Sequence, residues 1–116
     1  MPCTKLLFRE CGRSVVVLPG GRFHYENVIL GNHVSIGREA TFICSRARII
    51  VGDHVMFGPH VFVITGGHRI DSVAKFMDEF TDDEKRPEDD LDVVFEGDNW
   101  VGASAIILRG VTVGRG

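Results

Sequence analysis

Aliphatic and aromatic residues recur every six positions along most of this chain. In order, the residues that lead these six-residue units are Leu30, Ile36, Phe42, Val51, Phe57, Val63, Phe95, Val101, Ile107 and Val113. Neither an α-helix nor an ordinary strand has a period of six, whereas a fixed short period of this kind is typical of a parallel β-helix. In that fold each unit forms one side of a coil, and stacking of the coils buries the leading side chains. The pattern therefore predicts an all-β protein built as a parallel β-helix of hexapeptide repeats.

Other positions of the six-residue unit support the same prediction. Gly follows the leading residue in six units, and the fifth position is mostly small or aliphatic. The fourth position holds His33, His54 and His60, in Asn-His, Asp-His and Pro-His pairs that are typical of turns. Asn, Asp and His tolerate the left-handed backbone conformation better than most other residues with a side chain. We therefore expect these three histidines to lie at corners of the coil.

Two interruptions break the repeat. Val51 follows Phe42 after nine positions instead of six, which predicts a short insertion at one corner. The repeat stops at His68 and resumes at Phe95, which leaves residues 69–94 as a long inserted loop; its first 24 residues hold ten acidic and four basic side chains. Within this loop, four apolar residues have the spacing of an amphipathic helix: Val73, Phe76, Met77 and Phe80. A short helix and a solvated acidic loop are both compatible with this pattern, and a long excursion from a compact domain is usually functional or mobile.

The two ends of the chain are expected to differ from the regular coils. Residues 1–29 are only loosely periodic, and the run from Val15 to Leu18 before Pro-Gly-Gly predicts a strand and a turn, so we expect an N-terminal cap here. The last unit begins at Val113 and the sequence stops at Gly116. An open last coil exposes unpaired backbone groups. We therefore expect the C-terminal coils to be truncated, or to be covered by another subunit.

Composition limits the classes of function. A chain of 116 residues predicts a single domain, and a net charge of −3 provides no basic field for nucleic acid or an anionic membrane. The apolar runs are too short to span a bilayer and the first residues lack the apolar core of a signal peptide, so we predict a cytoplasmic protein. Cys3, Cys11 and Cys44 form no Cys-x-x-Cys pair, which favours reduced thiols, with Cys44 in the core.

Several segments carry a more specific signal. They are Val51-Gly-Asp-His-Val-Met-Phe-Gly-Pro-His-Val, Thr65-Gly-Gly-His-Arg-Ile-Asp71, and Asn99-Trp-Val-Gly with Leu108-Arg-Gly-Val-Thr-Val-Gly114. Together they resemble the hexapeptide-repeat O-acetyltransferases of the maltose and galactoside type, over residues 30–116. The resemblance implies a left-handed β-helix and a homotrimer with each active site between two subunits. It also implies acetyl-CoA as the acyl donor, a hydroxyl of a sugar or similar small compound as the acceptor, and no metal.

The same resemblance assigns candidate site residues. His68 matches the family's catalytic histidine, with a turn residue as the alternative; a neutral imidazole can accept a hydroxyl proton at cellular pH. Trp100 is at the sixth position of its unit, where side chains in this pattern face out of the coil. By the resemblance, it matches a residue that flanks this histidine and lines the acceptor or acetyl site, with a role at a subunit interface as the alternative. Gly102 and Ala103 match the small-residue edge that receives the pantetheine arm of coenzyme A. Glu88 lies near where some members have a carboxylate that orients the histidine, and a solvated charge is the alternative.

Two other functions compete with this interpretation. A zinc-dependent enzyme of the β-helical carbonic anhydrase type would need three histidines that converge on the metal. The spacing of His54, His60 and His68 does not match the ligand spacing of those enzymes. A truncated or non-catalytic β-helix scaffold is the second alternative, and the abrupt end of the sequence favours it.

Overall fold

Three parallel β-sheets surround one apolar interior in the computed structural model, which describes residues 7–66 and 90–116. The predicted amphipathic helix, His68, Glu88 and Cys3 lie outside the described residues. Regular structure in the described part consists of short strands and one turn of 3₁₀ helix at Tyr25–Asn27.

The strands are two or three residues long and run around the three sides in turn. In chain order they are β1 (Glu10–Cys11), β2 (Val16–Val17), β3 (Arg22–Phe23), β4 (Val28–Leu30), β5 (Ser35–Ile36), β6 (Thr41–Ile43), β7 (Ile49–Val51), β8 (Val55–Phe57), β9 (Phe62–Ile64), β10 (Val93–Phe95), β11 (Asn99–Val101), β12 (Ile106–Ile107) and β13 (Thr112–Val113). Sheet A contains β1, β4, β7, β10 and β13, sheet B contains β2, β5, β8 and β11, and sheet C contains β3, β6, β9 and β12.

Every third strand therefore pairs in parallel with the strand one coil away, and the predicted left-handed parallel β-helix is confirmed. The registers place the leading residues of successive coils one above another, as in the pairs Leu30 with Val51 and Val51 with Phe95. Successive side chains of a strand point to opposite faces, so the leading residues and the fifth-position residues both point inward.

A column of aromatic rings runs through the interior. Phe42 contacts Phe57 edge to face with ring centroids 5.3 Å apart, and Phe57 contacts Phe95 in the same way at 5.0 Å. Phe42, Phe57 and Phe95 are all buried. Burial of a side chain of this size stabilises a fold by roughly 1.5–3 kcal/mol, so this column contributes strongly to cohesion between coils.

Residues 10–23 form a complete first coil inside the segment that the sequence assigns to an N-terminal cap. Cys11, Val17 and Phe23 are spaced six residues apart and pair with the leading residues of the next coil. Their partners are Leu30, Ile36 and Phe42. The repeat is hard to see here because Cys11 stands where an aliphatic residue is usual and Phe23 is seven residues before Leu30.

The corners of the coil follow the sequence prediction. His33, His54 and His60 have φ values of 57°, 56° and 59°, which confirms that they are left-handed turn residues. His33 and His54 lie at the edge between sheets A and B, and His60 lies at the edge between sheets B and C. The longest connection that the structure describes throughout, residues 44–48, lies at the edge between sheets C and A, so the predicted insertion between Phe42 and Val51 is also confirmed. The chain from the end of β9 to the start of β10 joins the same two sheets.

Hydrogen bonds hold the edge between sheets C and A together. The backbone N–H of Cys44 donates to Nδ1 of His24 at 2.9 Å, and Cys44 is buried as predicted. Thr65 is also buried, and its carbonyl accepts a hydrogen bond from the N–H of Leu91 at 2.9 Å. Thr65 and Leu91 thus close the base of the long excursion that leaves the coil at this edge.

Candidate active site

The base of the excursion marks one part of the candidate site. Thr65, which is buried at this base, precedes His68 by three residues. His68 and Glu88 themselves lie outside the described residues, so their assigned roles stay predictions.

Trp100 lies on the outer face of sheet B. It belongs to β11 and pairs with Met56 of β8, and 79% of its surface is exposed. Met56 and, two coils lower, Val16 are also exposed on this face, with Ser35 between them in the register. The sixth unit position therefore points outward, as the sequence predicts, and the indole is available to a ligand or to another subunit.

The structure does not bring Trp100 next to the base of the excursion within one chain. In a three-sided coil, sheet B is the side opposite the edge between sheets C and A. Trp100 lies on that side, whereas Thr65 and Leu91 lie at the opposite edge. In the sequence, His68 and Trp100 lie on either side of the inserted loop, but the winding of the coil puts Trp100 and the base of the excursion on opposite sides.

An open hollow of about 300 Å³ lies beside Trp100, at the edge between sheets A and B. Its lining consists of His33, His54, Met56, Asp98, Asn99 and Trp100. The imidazole rings of His33 and His54 stack with centroids 4.8 Å apart and planes inclined by only 5°. Asp98 occupies the same unit position one coil further on, with φ of 54°. The sequence predicts His33 and His54 as turn residues, and it gives no sign that they border a hollow with Asp98 and the indole.

Asn99 is a site residue that sequence reasoning missed. It occupies an inward-facing fifth position, where its neighbour in the next coil is Val55, and it is buried. Its Oδ1 accepts a hydrogen bond from the N–H of Gly97 at 3.1 Å, and its Nδ2 donates to the carbonyl of Gly114 at 2.7 Å. Both ends of the buried amide are thus paired, which holds the start of β11 immediately before Trp100. The sequence does contain one sign of this role, because Asn99 is a polar residue at the fifth unit position, which is otherwise mostly small or aliphatic.

Gly102 and Ala103 lie at the edge between sheets B and C. A Cβ atom added to Gly58, one coil away, would lie 2.8 Å from the backbone nitrogen of Ala103, so a side chain there cannot fit without a shift. A Cβ atom added to Gly102 would meet no atom of the described residues within 4 Å. The backbone at Gly102 is therefore open on the side where Gly58 is covered.

The described residues offer no converging metal ligands. Within residues 7–66 and 90–116, no group of three or more His, Cys, Asp or Glu side chains is arranged to hold a metal ion. His54 and His60 are on different edges, and Nδ1 of His60 lies 3.4 Å from Oε2 of Glu39.

Comparison with known proteins gives two informative relatives. The chain is 30% identical to the galactoside O-acetyltransferase of Lactococcus lactis subsp. lactis (strain IL1403) in an alignment 117 positions long, which covers 99% of the chain and 52% of that protein. The chain is related to the hexapeptide-repeat acetyltransferases. It is also 31% identical over 90 residues to a provisionally named acetyltransferase of Schizosaccharomyces pombe (strain 972 / ATCC 24843), which cover 78% of the chain and 39% of that protein.

The chain thus spans about half the length of the bacterial acetyltransferase relative, and less of the yeast one. No protein-family model matches it. Among the residues that the structure describes, none forms a helix with the length and hydropathy needed to cross a membrane.

Proposed function

We propose that this chain forms part of an O-acetyltransferase that moves the acetyl group of acetyl-CoA to a hydroxyl of a sugar or a similar small acceptor. The observation that carries the proposal is the similarity of 99% of the chain to a protein named galactoside O-acetyltransferase. That name states both the group transferred and the class of acceptor. We assign the protein to the cytoplasm, where reducing conditions suit the buried thiol of Cys44.

The active enzyme in this proposal is a homotrimer with its sites between subunits. The separation of the two parts of the site supports this arrangement, because Trp100 and the base of the excursion are on opposite sides of one coil. When the edge between sheets C and A of one subunit faces sheet B of the next, His68 of the first approaches Trp100 of the second. Each site then needs two copies of the chain.

His68 acts as the general base. An alcohol is a weak nucleophile until its proton is removed, and a neutral imidazole can accept that proton as the oxygen attacks the carbonyl carbon of the thioester. The new ester C–O bond forms as the C–S bond breaks. The imidazolium of His68 then returns the proton to the departing thiolate, so the histidine ends in its starting state. Backbone N–H groups near the site stabilise the negative charge that develops on the carbonyl oxygen.

Glu88 and Trp100 have supporting roles in this scheme. The carboxylate of Glu88 orients the imidazole of His68 and stabilises its protonated form. The exposed indole of Trp100 provides a flat wall for the acceptor or the acetyl group.

The open backbone at Gly102 and Ala103 suits the pantetheine arm of the donor. Absence of a side chain at Gly102 leaves free space above the strand, whereas the same space above Gly58 is filled by the neighbouring coil. The arm can therefore approach the backbone closely, and Ala103, which is exposed, adds only a methyl group to this edge.

Replacement of the proposed base tests the function directly. We expect His68→Ala to lower acetyl transfer from acetyl-CoA to galactose by on the order of 10²- to 10⁴-fold, because proton removal by the base is lost. His60→Ala is a control for the loss of an imidazole, since His60 is an exposed histidine at the edge between sheets B and C, whereas the base of the excursion is at the edge between sheets C and A. Unchanged transfer in His68→Ala, or an equal loss in His60→Ala, would contradict the proposal.

A further inference from the structure

The hollow beside Trp100 has the form of a small-ligand site. Its volume of about 300 Å³ lies at the lower end of the range of ligand pockets, which run from roughly 300 to 1,000 Å³. One wall is apolar, from the indole of Trp100 and the thioether of Met56, and the other is polar, from His33, His54 and Asp98. An apolar wall combined with a few directed polar groups is the usual composition of such sites.

The polar wall offers hydrogen-bond donors and acceptors to a ligand. Among residues 7–66 and 90–116, the imidazoles of His33 and His54 contact each other by stacking and form no hydrogen bond. Each neutral imidazole has one donor and one acceptor nitrogen, and the carboxylate of Asp98 adds acceptors. Because the two rings are parallel and 4.8 Å apart, they present these groups side by side, one coil above the other.

The chemistry of this wall selects a neutral ligand with several hydroxyl groups. A hydroxyl both donates and accepts, which matches imidazole nitrogens beside a carboxylate. A phosphate would meet the negative charge of Asp98, and no trio of side chains in the described residues is arranged to hold a metal ion. The flat indole of Trp100 suits the apolar face of a ring.

We infer that this hollow binds a neutral sugar ring of monosaccharide size, held between Trp100 and the stacked pair of His33 and His54, with Asp98 accepting hydroxyl hydrogen bonds. This inference rests on the proposed function only in taking that sugar as the acetyl acceptor. His33, His54 and Asp98 then bind the sugar in addition to forming the corner of the coil.

The single tryptophan of the chain makes the inference testable by fluorescence without any turnover. Trp100 borders the hollow and is the only source of indole emission. We expect titration with galactose to change this emission saturably at millimolar concentration. Inorganic phosphate at the same concentrations is expected to give no saturable change. A stronger response to phosphate than to galactose, or no saturable response to galactose, overturns the inference.

Conservative variants identify the wall that binds the sugar. Asn tolerates the left-handed backbone that His54 adopts at φ of 56°, so His54→Asn keeps the corner while removing the imidazole. We expect it to raise the galactose dissociation constant about tenfold, as for the loss of one hydrogen bond. His60→Asn makes the same change at φ of 59° on another edge and is expected to leave the dissociation constant unchanged.

Asp98→Asn is expected to weaken galactose binding and to allow phosphate to bind, because it removes the negative charge. Equal effects of His54→Asn and His60→Asn, or galactose binding unchanged in both His54→Asn and Asp98→Asn, would place the sugar elsewhere and overturn the inference. Galactose binding without acetyl transfer would leave the inference standing and refute the proposed enzyme; transfer without binding in this hollow would do the reverse.

Discussion

Gly102 stacks on Gly58 at the edge between sheets B and C, and the two glycines differ in what a side chain at each would meet. The register pairs Val101 with Phe57, so the glycines that follow are in the same position of successive coils. The backbone of the next coil comes within 2.8 Å of the place where a Cβ of Gly58 would be, whereas no atom of residues 7–66 and 90–116 lies within 4 Å of that place at Gly102. Packing among the described residues therefore requires glycine at position 58 and leaves room for a side chain at position 102.

This difference predicts that substitution by Ala lowers stability at position 58 but affects donor binding at position 102. We expect Gly58→Ala to lower the free energy of unfolding by about 1–3 kcal/mol, because the added methyl group forces the coils apart. Gly102→Ala is expected to change it by less than about 0.5 kcal/mol, as for an unconstrained surface site. In acetyl-transfer assays Gly102→Ala should instead raise the KM for acetyl-CoA, since the methyl group occupies the proposed path of the pantetheine arm.

Urea unfolding and steady-state kinetics on the two variants check this prediction. A KM for acetyl-CoA that is unaltered in Gly102→Ala would remove Gly102 from the donor site. A loss of stability equal to that of Gly58→Ala would show that another part of the protein covers Gly102.

Mixed trimers test whether the site is shared between subunits. His68→Ala and Trp100→Ala are each expected to be poorly active alone. If His68 and Trp100 of one site come from different chains, random reassembly of an equal mixture should restore about a quarter of the wild-type activity, because one site in four then receives both intact residues. The measurement is acetyl transfer before and after the two variants are unfolded and refolded together.

Two controls accompany the mixing experiment. Mixing without unfolding should restore little activity, because subunits have not exchanged. If activity is no higher after joint refolding than in either variant alone, the two residues act within one chain, and the arrangement proposed from their separation is wrong.

Cys44 predicts a pH dependence of stability. Burial raises the pKa of the Cys44 thiol to about 12 from an ordinary value of 9.0; the charge of Glu26 adds to this increase and the hydrogen bond with His24 opposes it. Above pH 9 the unfolded chain loses the thiol proton while the folded chain keeps it, so the unfolded state binds fewer protons and the free energy of unfolding decreases as the pH rises toward 12. Below pH 9 the thiol is protonated in both states and contributes no pH dependence.

Urea unfolding between pH 8 and 11 in the wild type and in Cys44→Ala measures this contribution. The stability of the wild type should fall more steeply with pH than that of Cys44→Ala, although the variant starts from a lower value because it leaves a small cavity. Parallel curves for the two proteins would show that the thiol titrates alike in the folded and unfolded states.

Much of the coil could be predicted from the sequence, because the side chains that point into its interior recur at a fixed period. The leading residues from Leu30 to Val101 are buried as the period requires, and the corner histidines have the expected backbone. These features are local, because each unit repeats the same contact with the unit one coil away. The first coil was harder to recognise, since Cys11 and the extra residue before Leu30 weaken the period without changing the stacking.

The candidate site could be predicted only in part. Trp100 was identified, with its outward orientation, but its position opposite the base of the excursion and its neighbours His33 and Asp98 were not. These residues are 67 and 2 positions from Trp100 in the sequence, and nothing in their spacing indicates one hollow. Asn99 was overlooked because its role depends on Gly114, a full coil further along the chain.

By itself, the sequence determined that this chain winds into a β-helix and which side chains fill it, because a period of six sets the side of the coil on which each residue lies. Only the tertiary structure decided which residues of different coils meet. The number of residues per coil varies with the insertions at one edge. The distance between two residues along the chain therefore does not tell how many coils apart they lie, which is their difference in height along the β-helix. The stacking of His33 on His54, the open backbone at Gly102 and the separation of Trp100 from Thr65 all follow from that height and from the side of the coil together.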